Sequence, residues 1–269
     1  MTWPVSSGGR PPRALSIAGS DSGGGAGIQA DLAVFFALGV HGATAVTAVT
    51  SQNTEGIRRI DAVPPEGIEA QIEAVLSDIG AGAIKIGMLG NESGIRAVAR
   101  ALDRHPGIPI VLDPVLNSTG GVPLLERSGE RALVEDLLPL VSLLTPNLHE
   151  AAALLGQEAP AGSSDAARDV CSRLAARGPR AILLKGGHGS GDVVQDWLWT
   201  RESFRIFEHP RREVSPHGTG CALSAAIAAH LARGLGLEEA TQQSIEYVLR
   251  AIDRARRMGR GAPILGFHE

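Results

Sequence analysis

Four short stretches of this chain carry the residues best suited to chemistry. The first is His217-Gly218-Thr219-Gly220-Cys221, which runs directly into Ala222-Leu223-Ser224-Ala225-Ala226. A glycine-bounded helix start of this kind presents three or four consecutive unpaired N–H groups with no bulky side chain in the way. That is a cradle for the negative charge developing on a transferred phosphoryl group. Cys221 falls in the first helical turn, where the helix dipole favours a thiolate and lowers the thiol pKa below its free value of about 8.5. The plainer alternative is a small buried thiol packed among alanines.

Thr145-Pro146-Asn147-Leu148-His149-Glu150 is the second stretch. Asn147 and Glu150 are three apart, so both side-chain oxygens can address one site, as a hydrated Mg²⁺ beside phosphates requires. The same spacing also suits a capping box, with Asn147 capping the helix and Glu150 reaching back. The third is Gly19-Ser20-Asp21-Ser22-Gly23-Gly24-Gly25-Ala26-Gly27, leading into a helix with Gln29 and Asp31. It lacks the Lys-Ser/Thr ending of a P-loop and does not fit G-x-G-x-x-G in register, so it is either a ligand-hugging loop or a structural turn. The fourth group is Asp113-Pro114 together with Lys185-Gly186-Gly187-His188-Gly189. A strand-end carboxylate suits a metal or its waters, and strand-end glycines let a nucleotide pass close to the backbone.

These residues need elements to hold them. Apolar, β-branched runs at Ala14–Ala18, Ala43–Thr50, Ala83–Ile86, Ile108–Leu112, Val141–Thr145 and Ala181–Lys185 predict strands buried on both faces. Helical patterns lie between them at Ala26–Leu38, Pro65–Ile79, Glu92–His105, Arg127–Leu138, Asn147–Leu155 and Ser164–Arg177. Alternation of the two predicts an α/β fold, a mainly parallel central sheet with helices on both faces. Val193–Trp199 and Phe204–Glu208 predict an appended antiparallel pair, and helices at Thr219–Arg233 and Glu238–Arg257 close the chain. We expect a flexible leader over residues 1–13, free of the apolar stretch of a signal peptide, and one domain over 14–269. In such a sheet ligands gather beyond the carboxyl ends of the strands, where all four stretches fall.

Composition narrows the partners. A net charge of −4 gives no electrostatic reason to approach nucleic acid or an anionic membrane, which leaves a small polar molecule as partner. Two distant cysteines, Cys171 and Cys221, suggest neither a disulfide framework nor a zinc site and fit a reducing compartment. Nowhere do eighteen consecutive apolar residues occur, so no membrane span is expected.

Taken in order, Ala18 to Leu32, Ser51-Gln52-Asn53-Thr54, Lys85-Ile86-Gly87-Met88-Leu89, Leu112-Asp113-Pro114-Val115, Thr145-Pro146-Asn147, Lys185-Gly186-Gly187-His188 and His217 to Cys221 resemble one family over nearly the whole chain. It is the hydroxymethylpyrimidine/phosphomethylpyrimidine kinases of thiamine biosynthesis, in the ribokinase-like superfamily. The resemblance implies a three-layer ribokinase-like fold and ATP-dependent phosphorylation of 4-amino-5-hydroxymethyl-2-methylpyrimidine and of its monophosphate, with Mg²⁺, in a cytoplasmic homodimer. Pyridoxal kinases share several of these motifs, so a pyridoxal or related vitamin-alcohol kinase is the alternative. A binding protein that kept the fold and lost the chemistry is disfavoured by intact Cys221, Asn147 and Asp113.

By the same resemblance, Gly19, Asp31, Gln52 and Met88 would line the pyrimidine pocket. Asp113, Asn147 and Glu150 would organise Mg²⁺ and its waters, and Lys185, Gly187 and Asn147 would lie at the nucleotide. Gly218, Thr219, Gly220 and Cys221 would form the anion hole, with Cys221 as base where sugar kinases carry an aspartate. One stretch departs from the family pattern: Val122 stands where an aspartate precedes Pro-Leu-Leu, which bears on closure of a glycine-rich flap and on the second phosphorylation. The ending Gly259-Arg260-Gly261-Ala262-Pro263 also only approximates the family's.

Overall fold

A computed structural model describes residues 11–117, 121, 123–158, 163–187, 191–214 and 216–267. The chain runs β1 (Arg13–Asp21), α1 (Gly27–Ala37), β2 (His41–Asn53), β3 (Gly56–Ala62), α2 (Pro65–Asp78), β4 (Ala83–Ile86), α3 (Glu92–Asp103), β5 (Ile110–Leu112) and α4 (Arg127–Ala132). One π turn (Leu133–Leu137) and one 3-10 turn (Leu138–Leu140) extend α4. Then follow β6 (Leu143–Leu144), α5 (Leu148–Leu155), α6 (Ser164–Ala175), β7 (Ala181–Leu184), β8 (Val193–Trp199), β9 (Phe204–Pro210), α7 (Thr219–Ala232) and α8 (Leu237–Asp253).

The nine strands among the described residues join one sheet in the order β3-β2-β1-β4-β5-β6-β7-β8-β9. Its centre, β2 to β7, is parallel, and β3, β8 and β9 are antiparallel additions at the two edges. Strand side chains alternate between faces, and the two faces have different sizes. Leu15, Ile17, Ile84, Ile86, Leu112, Leu144, Ile182 and Leu184 pack beneath α2, α3, α5 and α6. On the opposite face Ala14, Ala83, Val111, Leu143, Ala181 and Leu183 meet α1, α7 and α8. The result is the three-layer α/β architecture that the alternating pattern predicts.

The small residues of the second face matter for the site. Ala222, Ala225, Ala226, Ala228 and Ala229 are all fully buried, so α7 lies close on the sheet and its N-terminus sits over the strand ends. From β1 the chain steps outward to β2 on one side and returns to β4 on the other. That reversal opens a crevice between β1 and β4, the place where ligands bind in open α/β sheets.

Burying α7 whole has a cost at His230, which is 3% exposed and has neither ring nitrogen hydrogen-bonded among the described residues. Burial, assisted by Arg233, lowers its pKa from 6.5 to about 4. The unfolded chain therefore binds a proton that the folded chain refuses between those values. Stability is complete above about pH 6.5 and falls as the pH drops toward 4. We expect this one residue to account for about 2 kcal/mol of acid sensitivity at pH 4.5. Urea unfolding of His230→Leu at pH 7 and pH 4.5 checks it: the substitution should flatten the pH dependence, and an unchanged acid loss would assign it elsewhere.

The structure departs from expectation in three places. β3 was not predicted; α8 stops at Asp253 rather than Arg257. Residues 1–10 of the expected leader, and Val122 with 118–120 of the expected flap, lie outside the described residues. Arg13 already belongs to β1, where its carbonyl accepts from the Gly82 N–H at 2.8 Å. No helix among the described residues is long and apolar enough to cross a membrane.

Candidate active site

At the N-terminus of α7, Gly218 adopts φ +88°, and a Cβ built there would run into the Gly25 carbonyl oxygen. Glycine is therefore required both by conformation and by space. The first bond of the helical ladder is Ala222 N–H to Gly218 C=O at 2.9 Å, so the amides of Thr219, Gly220 and Cys221 stand ahead of it. They line a cavity of about 840 Å³ together with Gly19, Gln52, Lys85, Met88, Asp113, Asn147, Glu150, Lys185 and Gly187.

Opposite those amides is a buried ionic cluster. Lys185 Nζ donates to Asp113 Oδ1 at 2.8 Å and lies 3.9 Å from Glu150 Oε2. A Cβ built on Gly220 would be 3.3 Å from both Asp113 Oδ2 and Lys185 Nζ, so the cradle and the cluster face each other at van der Waals range. Burial opposes the Lys185 charge, but Asp113 and Glu150 outweigh it and hold the ammonium above its ordinary pKa. Glu150 is pushed up to about 7, first by burial and then by Asp113, with Lys185 and the Asn147 N–H pulling the other way.

The capping-box reading of Asn147 and Glu150 is the one realised. Glu150 N–H donates to Asn147 Oδ1 at 2.9 Å, and Asn147 N–H donates to Glu150 Oε2 at 2.8 Å. Asn147 Oδ1 and Glu150 Oε2 are engaged in the cap, and Asp113 Oδ1 is engaged by Lys185. Among the described residues no group of three His, Cys, Asp or Glu is placed to hold a metal. Two carboxylates beside a phosphate cradle do suit a Mg²⁺ that keeps most of its waters and arrives with a nucleotide.

Cys221 also requires correction. Its thiol is raised to about 11 rather than lowered: burial is the largest cause, Asp113 and Asp31 add to it, and Lys85 and the Gly27 N–H oppose it. The helix start expected to favour a thiolate is outweighed by the desolvated, carboxylate-rich floor.

At the β1 to β3 end, Gly19, Gln52 and Met88 line the cavity. A Cβ on Gly19 would lie 3.2 Å from Met88 Sδ, and the Met88 carbonyl accepts from Thr47 Oγ1 at 2.6 Å. Gln52 Nε2 is 2.8 Å from His217 Nε2, and Gln52 Oε1 accepts from Thr50 Oγ1 at 3.3 Å. Asp31 does not reach this wall. It is fully buried below it, accepting from Ser16 Oγ at 2.6 Å and from Lys85 Nζ at 2.8 Å. Burial disfavours both charges of that pair; the short contact, with Asp113 and Cys221 nearby, holds Lys85 protonated above its ordinary range.

The glycine loop after β1 is structural in a specific sense. Asp21 accepts from the N–H groups of Gly23 (2.8 Å), Gly25 (3.0 Å) and Ala26 (2.9 Å), so those amides are not available to a ligand. Burial opposes the Asp21 carboxylate, but His217 and these N–H groups hold its pKa below the usual range. The loop thereby fixes the Gly25 carbonyl against which Gly218 is seated. Asp21 and His217 stand in the stretches singled out from the sequence but carried no site role of their own there, although an Asp ahead of glycines is a recognisable turn signal. The chain's C-terminal stretch fastens the same wall: Ala262 N–H donates to the Thr54 carbonyl and His217 N–H to the Pro263 carbonyl, each at 3.0 Å.

At the β8 to β9 end, Gly187 lines the cavity beside Val194, Leu223, Val248 and Ile252, an apolar slot suited to a flat heterocycle. Its backbone is clamped: Gly186 N–H donates to Asp196 Oδ1 at 2.9 Å, and Arg211 Nη1 donates to the Gly187 carbonyl at 2.6 Å. His209 Nε2 lies 3.2 Å from Asp196 Oδ2. Asp196, His209 and Arg211 were not anticipated; His188 lies outside the described residues.

Known proteins of the same shape and sequence fit this geometry. A family model described as phosphomethylpyrimidine kinase matches residues 21–265. A Rhizobium meliloti protein named hydroxymethylpyrimidine/phosphomethylpyrimidine kinase is 45% identical over 260 residues, covering 95% of this chain and 97% of that one. The Escherichia coli protein of that name is 42% identical over 260 residues, with the same coverage. Among solved structures, Staphylococcus aureus pyridoxal kinase in complex with pyridoxal superposes with a TM-score of 0.86 at 30% identity, covering 95% of this chain and 93% of that one. Phosphomethylpyrimidine kinase from Clostridium difficile superposes at 0.80 with 37% identity, covering 89% and 99%.

Proposed function

The chain belongs to the phosphomethylpyrimidine kinase family, and from that premise we propose how its own residues carry out the reaction. It is a ribokinase-like phosphotransferase that moves the γ-phosphoryl group of ATP onto the hydroxymethyl oxygen of 4-amino-5-hydroxymethyl-2-methylpyrimidine, and then phosphorylates the monophosphate. The observation that supports the residue roles best is that the Gly218 to Cys221 cradle and the Lys185–Asp113 cluster adjoin on the wall of one cavity.

The pyrimidine ring occupies the end lined by Gly19, Gln52 and Met88, with the Gln52 amide addressing a ring nitrogen or amino group. The adenine takes the apolar slot by Gly187, and the phosphates run between the two ends. Phosphoryl transfer asks mainly for positioning and charge stabilisation. Amides at the α7 start receive the phosphoryl oxygens, and Lys185 neutralises charge beside them. Bound Mg²⁺ supplies shielding of the phosphate charge, and Asp113 and Glu150 would hold it through its waters. Cys221, as thiolate, takes the proton of the substrate hydroxyl as that oxygen attacks the γ-phosphorus, leaving a neutral thiol.

A pyridoxal kinase reading is favoured by the fold superposition alone, at 30% identity, against 45% for the pyrimidine kinase relative. A panel of the hydroxymethyl pyrimidine, its monophosphate and pyridoxal with MgATP, scored by ADP release, separates them. Both pyrimidines should turn over, with kcat/KM at least about tenfold above pyridoxal. A preference for pyridoxal would overturn the substrate assignment.

A further inference from the structure

Asp196 stands where the sheet has little use for a charge. On β8 it shares a face with Val194 and Leu198, and all three are buried. A leucine at 196 would continue that apolar stripe, and a buried carboxylate opposes folding unless hydrogen bonds compensate it. Both of its oxygens are engaged: Oδ1 accepts from the Gly186 N–H at 2.9 Å, and Oδ2 lies 3.2 Å from His209 Nε2 on β9. Asp196, His209 and Gly187 all line the cavity.

The first of these bonds ends the sheet at the edge of the cavity. β7 and β8 pair from Ile182 with Trp199 to Leu184 with Trp197, and the same register continued would set Lys185 opposite Asp196 and Gly186 opposite Gln195. Pairing stops before that point. The Gly186 N–H goes to the Asp196 side chain instead, and Gly186 is pressed so flat on β8 that a Cβ there would run into the Gln195 carbonyl oxygen. On either side of it the chain is held as well: the Lys185 N–H donates to the Pro146 carbonyl at 2.8 Å, and the Gly187 carbonyl accepts from Arg211 Nη1 at 2.6 Å. This fixed strand end delivers the Lys185 ammonium to the phosphate cluster and, two residues on, the Gly187 backbone to the apolar slot.

We propose that Asp196 is a positioning residue for the nucleotide: by accepting from the Gly186 N–H, with His209 steadying its other oxygen, it holds the end of β7 in the form to which the purine and its phosphates bind. The proposal rests on the nucleotide occupying the Gly187 slot, and its test is chosen so that the two can fail separately.

Isothermal titration calorimetry of the full chain with MgADP, and separately with the hydroxymethyl pyrimidine, reads the effect without turnover. Asp196→Asn keeps an oxygen for the Gly186 N–H and should bind MgADP within about threefold of the parental chain. Asp196→Leu leaves that N–H without its acceptor. A strand end that then keeps its binding form about a tenth of the time weakens MgADP about tenfold. The pyrimidine, bound at the opposite end, should change by less than about twofold in either variant. Parental MgADP binding in a folded Asp196→Leu, equal weakening of both ligands, or an Asn variant as impaired as the Leu variant would each overturn the proposal. Should Asp196→Leu not fold, hydrogen exchange over residues 181–187 of the parental chain decides. MgADP at about ten times its Kd should slow that exchange about tenfold and the pyrimidine should leave it unchanged, whereas indifference to MgADP would overturn the proposal. Protection of 181–187 by MgADP beside undiminished binding in Asp196→Leu removes the Asp196 role alone. Protection by MgADP at residues 48–53 in place of 181–187 removes the nucleotide placement, and the Asp196 role with it.

Discussion

Cys221→Ala is expected to lower kcat for pyrimidine phosphorylation by about 100- to 10,000-fold, the range a positioned general base contributes. KM for MgATP should change little, because the backbone amides of the cradle survive the substitution. Cys221→Ser should lie between the two, since a hydroxyl in the same place still donates and accepts but ionises far less readily. With the thiol raised to about 11, only a small fraction is ionised at neutral pH. Parental activity should therefore climb as the pH rises above neutrality, and the Ala variant should lose that slope. A coupled ADP-release assay from pH 6.5 to 9.5 measures both. Near-parental turnover in Cys221→Ala would leave the amide cradle as the principal contributor and Cys221 as packing.

Gly218→Ala should also be damaging. The residue adopts φ +88°, which costs an L side chain about 1 to 2 kcal/mol, and the added Cβ would meet the Gly25 carbonyl. Relief requires the helix start and the glycine loop to separate, which displaces several cradle amides together. Loss of one such donor costs about 100- to 1,000-fold in kcat elsewhere, so at least about 100-fold is expected here. Gly236→Ala is the matched control, since a Cβ there meets nothing within 4 Å and φ is −67°. Circular dichroism confirms folding, and steady-state kinetics reads the effect. A folded Gly218→Ala enzyme within about threefold of the parent would remove the cradle from the mechanism.

Much of this site was legible because its parts are local. A strand followed by small residues and a helix start announces itself in the sequence, and His217 to Cys221 is such a case. The Asn147 and Glu150 spacing likewise contained the capping box among its readings. What escaped was non-local. Asp31 is buried because α1 turns that face toward Lys85, 54 positions along the chain, and no local pattern discloses such a pairing. The thiol of Cys221 was misjudged for the same reason: Asp113 and Asp31 come from other elements, and their charge on a desolvated floor exceeds the effect of the helix start. β3 was hidden by a bulge. Ser51 pairs with Arg59 but Gln52 with Ile57, so Arg58 is an extra residue, and Ile57 and Ile60 fall three apart instead of two or four. The period-two signature of a strand is erased at that point.

The Gln52–His217 wall is tied in place by Pro263 and Thr54, residues more than two hundred positions apart. A ribosome elongating this chain exposes the sheet and both lysines long before it exposes the last tie. The core face covered by α7, α8, Leu265 and Phe267 closes only in the same late stretch, and the substrate end of the cavity gains its final shape only once Ile264 has emerged. Completion of that face and completion of the site thus fall together, in the last stretch of the chain to be made.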